Sequence, residues 1–276
     1  MLAQGVLLGG EVEVHRGAGG SVPRRWGADR NETCSIIAER PASGNPPRAW
    51  RPERPTPTFR CVRAVLFDFD FTLADSSSGI LACFAHAFAR VGLPAADPQH
   101  VRRTIGLALP EALRRLHGVD DAALAQAFTD AFRERAEHVM VASTRWLGRA
   151  LETVEACRAA GFATAICSTK RRSHLEGVLA RDGVAALFDA VIGADDVPAP
   201  KPAPDALLAA LARVGVVAER ALYVGDHPVD AQAAQRADVS FVAVLTGPSQ
   251  RADFEVHRVE RFLASIEELP ALLPGA

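Results

Sequence analysis

Four short segments carry residue types that could handle a phosphate or a metal ion. In "DFDFTLAD", Asp68 and Asp70 close an apolar run. Residues two apart on a strand point the same way. Two carboxylates facing one pocket can divide the labour of nucleophile and general acid. Asp at a strand end also caps turns, so the pair by itself leaves both readings open. In "CSTK", Ser168 and Thr169 end a second apolar run. Hydroxyls and amides there can grip phosphate oxygens or cap a helix. Lys201 stands among the prolines of "APKPAP". A compact ammonium in a stiff loop suits a phosphate or a carboxylate, or is only surface. In "GDHPVD", Asp226 and Asp230 follow a further apolar run. Hard carboxylate oxygens suit Mg²⁺, and Gly225 permits a tight turn. Simple turn chemistry is the alternative.

The elements that must hold these groups are readable from the apolar pattern. "VRAVLF", "FATAIC", "FDAVIG", "ALYVGD" and "SFVAVL" are short apolar runs and read as buried parallel strands. "LETVEACRAAG", "PDALLAALARVG" and "VDAQAAQRAD" read as the helices between them. Alternating strands and helices imply an α/β fold with a Rossmann-like parallel sheet and right-handed crossovers. Four of the five strands end in one of the four segments or lead into it, and the carboxyl edge is where such sheets place their sites.

Between the first two strands lies a long stretch with helical patterns only. "SSSGILACFAHAFARVG" has apolar residues near helical spacing. "DPQHVRRTIG" offers Asp97 as N-cap and Pro98 at the first turn. "LPEALRRLHG" and "DDAALAQAFTDAFRERAEHV" complete a small all-helical insertion.

In combination the order is Asp-x-Asp, Ser/Thr, Lys, then Gly-Asp-x-x-x-Asp. In this the sequence resembles the haloacid dehalogenase-like phosphohydrolases, over about residues 62–275, and the insertion resembles their small helical cap. The resemblance implies a core of 61–75 and 147–276 and a cap of 76–146. It makes Asp68 the nucleophile of an aspartyl-phosphate intermediate and Asp70 the general acid, then base. Ser168 and Thr169 would bind the phosphoryl group, and Lys201 would balance its charge. Asp68, Asp226 and the main-chain carbonyl of Asp70 would hold Mg²⁺. Asp230 would support the metal shell or orient Lys201, and Thr72 would fix the loop. Two residues depart from the family pattern. Phe71 replaces the usual Gly and would narrow the loop or seal the cap seam. His227 follows Asp226 and would cap the next helix or contact the substrate.

"LFDFDFTLADSSSGI" and "VRRTIGLALPEAL" look most like phosphoglycolate phosphatases. The expected activity is Mg²⁺-dependent hydrolysis of a small phosphorylated metabolite. Alternatives within the family are a pyrophosphatase, a nucleotide or sugar-phosphate phosphatase and a phosphomutase. A non-catalytic binding or regulatory protein is the alternative of another class. Arg102, Arg103, Thr104, Arg114 and Arg145 are candidate contacts for the leaving group, or solvated helix faces.

The net charge of −2 gives no broad attraction to nucleic acid or anionic membrane. No apolar run reaches the roughly 20 residues of a membrane span. Five scattered cysteines without a Cys-x-x-Cys suggest reduced thiols and a cytoplasmic location. Oligomeric state is not readable. Residues 1–60, rich in Gly, Pro and Arg, read as a disordered arm. A start of translation near Val62 is the other reading of that arm, which an intact mass decides.

Overall fold

The computed structural model describes Phe59 and residues 61–275. The expected arm lies outside the described residues apart from Phe59, which is buried and packs with Val62 against the core.

The strands are β1 Ala64–Phe67, β2 Ala74–Asp75, β3 Arg145–Trp146, β4 Ala163–Cys167, β5 Ala190–Ile192, β6 Ala221–Gly225, β7 Ser240–Val244 and β8 Arg261–Leu263. Six of them form one parallel sheet in the order β5-β4-β1-β6-β7-β8. Five are the predicted strands. The sixth, β8, was not expected, because "RFL" is too short to stand out from its charged neighbours. The chain builds outward from β1 on one side, then restarts at β6 on the other. The order therefore reverses beside β1, and the crevice beyond its carboxyl end is the place for a ligand.

Both faces of the sheet are buried, which is why these strands are continuous apolar runs. Val65, Phe67, Ile166 and Val224 pack on one face. Leu66, Ala165, Cys167 and Tyr223 pack on the other. The α-helices are α1 Ser77–Arg90, α2 Pro98–Arg102, α3 Leu109–His117, α4 Ala122–Ser143, α5 Ala150–Ala159, α6 Arg172–Arg181, α7 Asp205–Val214 and α8 Pro228–Arg236.

Helices α1 to α4 are the predicted insertion. Asp97 caps α2, accepting from Gln99 N at 2.6 Å. Asp121 caps α4, accepting from Leu124 N at 2.7 Å; such a cap contributes about 1 kcal/mol. Their apolar faces form a separate cluster around Phe84, Phe88 and Phe128, with ring centroids 5.2–5.7 Å apart. Phe71, from the loop after β1, joins this cluster. The insertion leaves and rejoins the sheet through β2 and β3, an antiparallel ribbon that pairs Ala74 with Trp146 and Asp75 with Arg145. Trp146 packs edge-on to Phe69 and donates to Asp182, as a structural residue would.

Cys83, Cys157 and Cys167 are free and buried. Cys61 is disulfide-bonded, against the expectation of reduced thiols throughout.

Candidate active site

The loop leaving β1 is tightly folded. The amides of Thr72, Leu73 and Ala74 all donate to Phe69 O, and Phe71 N donates to Ala74 O at 2.7 Å. Phe71 sits at the turn with φ 58°, the left-handed region that favours glycine. The loop is held from below by Thr246, whose hydroxyl donates to Phe71 O. The Thr72 hydroxyl is buried and has no partner among the described residues.

The carboxyl ends of β1 and β6 are neighbours, so Asp68 and Asp226 meet. Asp68, Asp226 and Asp230 offer carboxylate oxygens within 4.8 Å of one another, all buried. Lys201 Nζ is 2.7 Å from Asp68 Oδ1 and 2.5 Å from Asp230 Oδ1. Asp230 reaches this position because Gly225 has no side chain: a Cβ there would lie 2.7 Å from Asp230 Cβ and Cγ. Gly225 is thus required for space, not for the tight turn expected of it. Asp230 Oδ2 also accepts from His227 N at 3.1 Å. His227 caps α8 through Nδ1, which accepts from Val229 N, as predicted.

The electrostatics follow from the count. Three buried carboxylates face one ammonium, so ionising all three would leave two negative charges uncompensated. Burial, opposed by Lys201 and reinforced by Asp230, pushes the Asp68 carboxyl up to about 7. Burial, then Asp230 and Asp68, pushes Asp226 well above the carboxylate range. Burial alone would lower Lys201, but Asp230 and Asp68 outweigh it and raise its pKa. Asp226 Oδ2 is buried without a partner among the described residues. A dry acidic cluster with an orphaned carboxylate oxygen fits a divalent cation, whose hard charge takes oxygen ligands.

Asp70 stands apart from that cluster. Its Oδ1 accepts from the Ser76 hydroxyl, and its Oδ2 lies 3.0 Å from Lys170 Nζ. Ser168 is buried at the end of β4, and its Oγ accepts from Lys170 N at 3.2 Å. The Thr169 hydroxyl turns to Gly106 O at 3.2 Å, toward the α2–α3 connection. That connection also crosses the His227 ring, 3.7 Å from where a Gly106 Cβ would be. The connection thus touches the segment after β4 and the start of α8 at once.

Beyond Asp70 a cavity of about 370 Å³ runs between α1, α4 and residues 104–110, with Ile80, Phe84, Leu107 and Phe132 in its wall. Of the arginines put forward as leaving-group contacts, Arg114 is tied to Glu111 and Arg145 to the carbonyls of Ala142 and Thr144. Thr104 lines the cavity, while its hydroxyl donates to Val101 O.

Three residues of the site were not picked out in the sequence. Lys170 was the last letter of "CSTK", a Lys just past a strand end. Ser76 was one of three serines with nothing to separate them. Tyr223, the only tyrosine in the chain, put a polar tip inside an apolar strand. Its hydroxyl lies 2.9 Å from Lys201 Nζ, 3.0 Å from Cys167 O and 3.1 Å from Asp230 Oδ1.

A parallel sheet carrying buried acids and a lysine at its topological switch defines an α/β enzyme of hydrolytic or phosphoryl-transfer type. Residues 65–244 match the family model of the haloacid dehalogenase-like hydrolases, and the chain belongs to that family. A phosphoglycolate phosphatase of Pseudomonas putida is 32% identical over 228 residues, 77% of this chain and 79% of the relative. One from Aquifex aeolicus is 29% identical, covering 71% and 93%. A solved haloacid dehalogenase-like hydrolase of Bacteroides fragilis superimposes with a TM-score of 0.73 at 35% identity, over 75% of this chain and 99% of that one. The protein is therefore a hydrolase of the family's phosphoric monoester branch. No helix among the described residues is long and apolar enough to cross a membrane.

Proposed function

We propose that this chain hydrolyses a small phosphomonoester, phosphoglycolate-like in size, through an aspartyl-phosphate on Asp68 and with Mg²⁺. One observation carries the reading: Lys201 pins Asp68 and Asp230 while the buried Asp226 keeps an unpartnered oxygen beside them. A phosphate dianion needs its charge balanced before a carboxylate can approach it.

In this reading an Asp68 oxygen forms the new bond to phosphorus as the ester oxygen leaves. Asp70 gives that oxygen its proton. Water then attacks the aspartyl-phosphate, Asp70 takes a proton from it, and phosphate and the Asp68 carboxylate are restored. Lys201 fixes the plane of the nucleophile and balances the phosphoryl charge. The Ser168 hydroxyl and the Thr169 amide receive phosphate oxygens. Asp68, Asp226 and the Asp70 carbonyl would hold Mg²⁺, which supplies charge neutralisation at the phosphoryl group. Asp230 orients Lys201. Helices α1 to α4 serve as the cap, excluding water from Asp70.

The test is phosphate release from a panel of phosphomonoesters that includes 2-phosphoglycolate. It is run with Mg²⁺, with EDTA and with Asp68→Asn. Turnover that needs both the metal and Asp68 supports the reading. Turnover indifferent to either one removes it.

A further inference from the structure

We propose that Lys170 is the positioning residue of Asp70: together with Ser76 it holds that carboxylate toward the cavity that Asp70 lines, where this reading puts the leaving group. The inference rests on the reading of Asp70 as acid and base. Lys170 has no part in the phosphoryl and metal contacts described above.

The geometry is specific. Lys170 and Asp70 side chains are only 4% and 9% exposed, and Asp70 is the one carboxylate within ion-pair distance of Lys170 Nζ among the described residues. A buried ammonium is costly to desolvate, so a lone buried pair is a poor way to add stability. Its main chain is fixed by the sheet. Lys170 N donates to Ser168 Oγ, and Lys170 O accepts from Ala194 N at 2.9 Å. From there the side chain carries Nζ over the Phe69 ring, 6.0 Å from its centroid, and to 3.2 Å from Met140 Sδ on α4. The side chain thus spans from the end of β4 to the loop after β1.

Both Asp70 oxygens are therefore claimed from opposite ends, one by Ser76 at the start of α1 and one by Lys170. An aspartate held at one oxygen can still rotate. Held at both, its plane is set. Asp70 and Lys170 both line the cavity of about 370 Å³. General acid catalysis needs the proton within hydrogen-bond reach of the leaving oxygen, and contributes about 10²–10⁴-fold when it is. Fixing Asp70 on the cavity side meets that demand.

The experiment compares leaving groups. An alkyl phosphate needs a proton to depart; p-nitrophenyl phosphate does not. In Lys170→Met, kcat/KM for ethyl phosphate and 2-phosphoglycolate should fall roughly 10²-fold, while kcat/KM for p-nitrophenyl phosphate stays nearly unchanged. Asp70→Asn should show the same selectivity in kcat/KM, which reports transfer to Asp68 alone, but should lower kcat on all three substrates, because hydrolysis of the common aspartyl-phosphate still needs the Asp70 base. In kcat/KM the double variant should be no worse than Asp70→Asn alone. Ser76→Ala should fall in the same selective way by a smaller factor, and carries the comparison if Lys170→Met does not fold. Equal loss on all three substrates would make Lys170 structural and overturn the inference. A rise in KM confined to 2-phosphoglycolate would make it a carboxylate contact, and overturn it too. A selective Asp70→Asn beside neutral Lys170 and Ser76 variants would sink this inference alone. A flat Asp70→Asn would sink the acid–base reading and this inference with it.

Discussion

Gly247 lies so close to Asp226 that a Cβ on it would fall 2.8 Å from Asp226 Cγ, and nearer still to the unpartnered Oδ2. The same Cβ would be 3.1 Å from Phe71 Cβ. The loop after β7 therefore closes over the acids only because residue 247 lacks a side chain.

Gly247→Ala should consequently push Asp226 aside without touching the apolar core. Displacing groups that hold a metal ligand typically costs 10–100-fold in affinity. We expect the Mg²⁺ concentration for half-maximal turnover to rise by about that factor, with a small change in Tm. Calorimetric titration of Mg²⁺ into both proteins checks this. Equal affinities would show that Asp226 is not part of the metal site.

Phe71 reverses the usual order of alanine and glycine. Its φ of 58° strains any residue with a Cβ, by about 1–2 kcal/mol. Its ring packs into the cluster of α1 to α4, and deleting such a ring costs about 3–5 kcal/mol. Phe71→Ala loses the ring and keeps the strain. Phe71→Gly loses the ring and sheds it. Both should be destabilised, with the glycine variant the more stable by about 1 kcal/mol. Urea denaturation of the pair measures the difference, and an alanine variant at least as stable would show that the strain is absent in solution.

How far the chain could be read in advance depended on how local each signal was. The five apolar strands of the core and the helices α5, α7 and α8 were legible, because burial on both sheet faces leaves continuous runs such as "ATAIC"; α6, whose Arg172–Arg181 segment mixes charged and apolar residues, was not. β2 and β3 were not, since two residues carry no period, and neither was β8, whose "RFL" stands among charged neighbours. Asp68, Lys201, Asp226 and Asp230 stood out as polar groups closing apolar runs or stiffened by prolines, and the structure brings all four together. The contacts that complete the site run between distant segments: Lys170 to Asp70, Tyr223 to Lys201, Gly247 to Asp226. Each joins residues that no spacing rule relates, so only the fold displays them.

Tyr223 illustrates what such a contact is worth. Its buried hydroxyl touches Lys201, Asp230 and the Cys167 carbonyl. Tyr223→Phe keeps the ring and leaves those polar groups short of a partner, a penalty of about 1–3 kcal/mol. Lys201 retains both carboxylates, so kcat should change far less than stability does. Thermal denaturation and steady-state kinetics on one preparation test this. A large loss of kcat at unchanged Tm would place Tyr223 in the chemistry instead.

His174 predicts how the contact between the helical layer and the sheet layer responds to acid. Its ring lies on α6, 5% exposed, with Nε2 3.5 Å from Glu137 of α4. Lys170 and Arg171 are its other charged neighbours. Burial lowers its pKa, and Lys170 and Arg171 add to that, against the pull of Glu137. The folded protein therefore binds fewer protons at this ring than the unfolded chain does. Stability from this group is present above about pH 6.5, the unfolded value, and is lost as pH falls below it. His174→Gln removes the titration and keeps a polar side chain of similar reach. From pH 7 to pH 5 the wild-type protein should lose more Tm than the variant, by a few degrees, because all other groups titrate alike in both. Parallel Tm curves would mean that Glu137 fully offsets burial. A steeper acid loss in the variant would mean that the protonated ring stabilises the contact, so that attraction to Glu137 outweighs the cost of burying the charge.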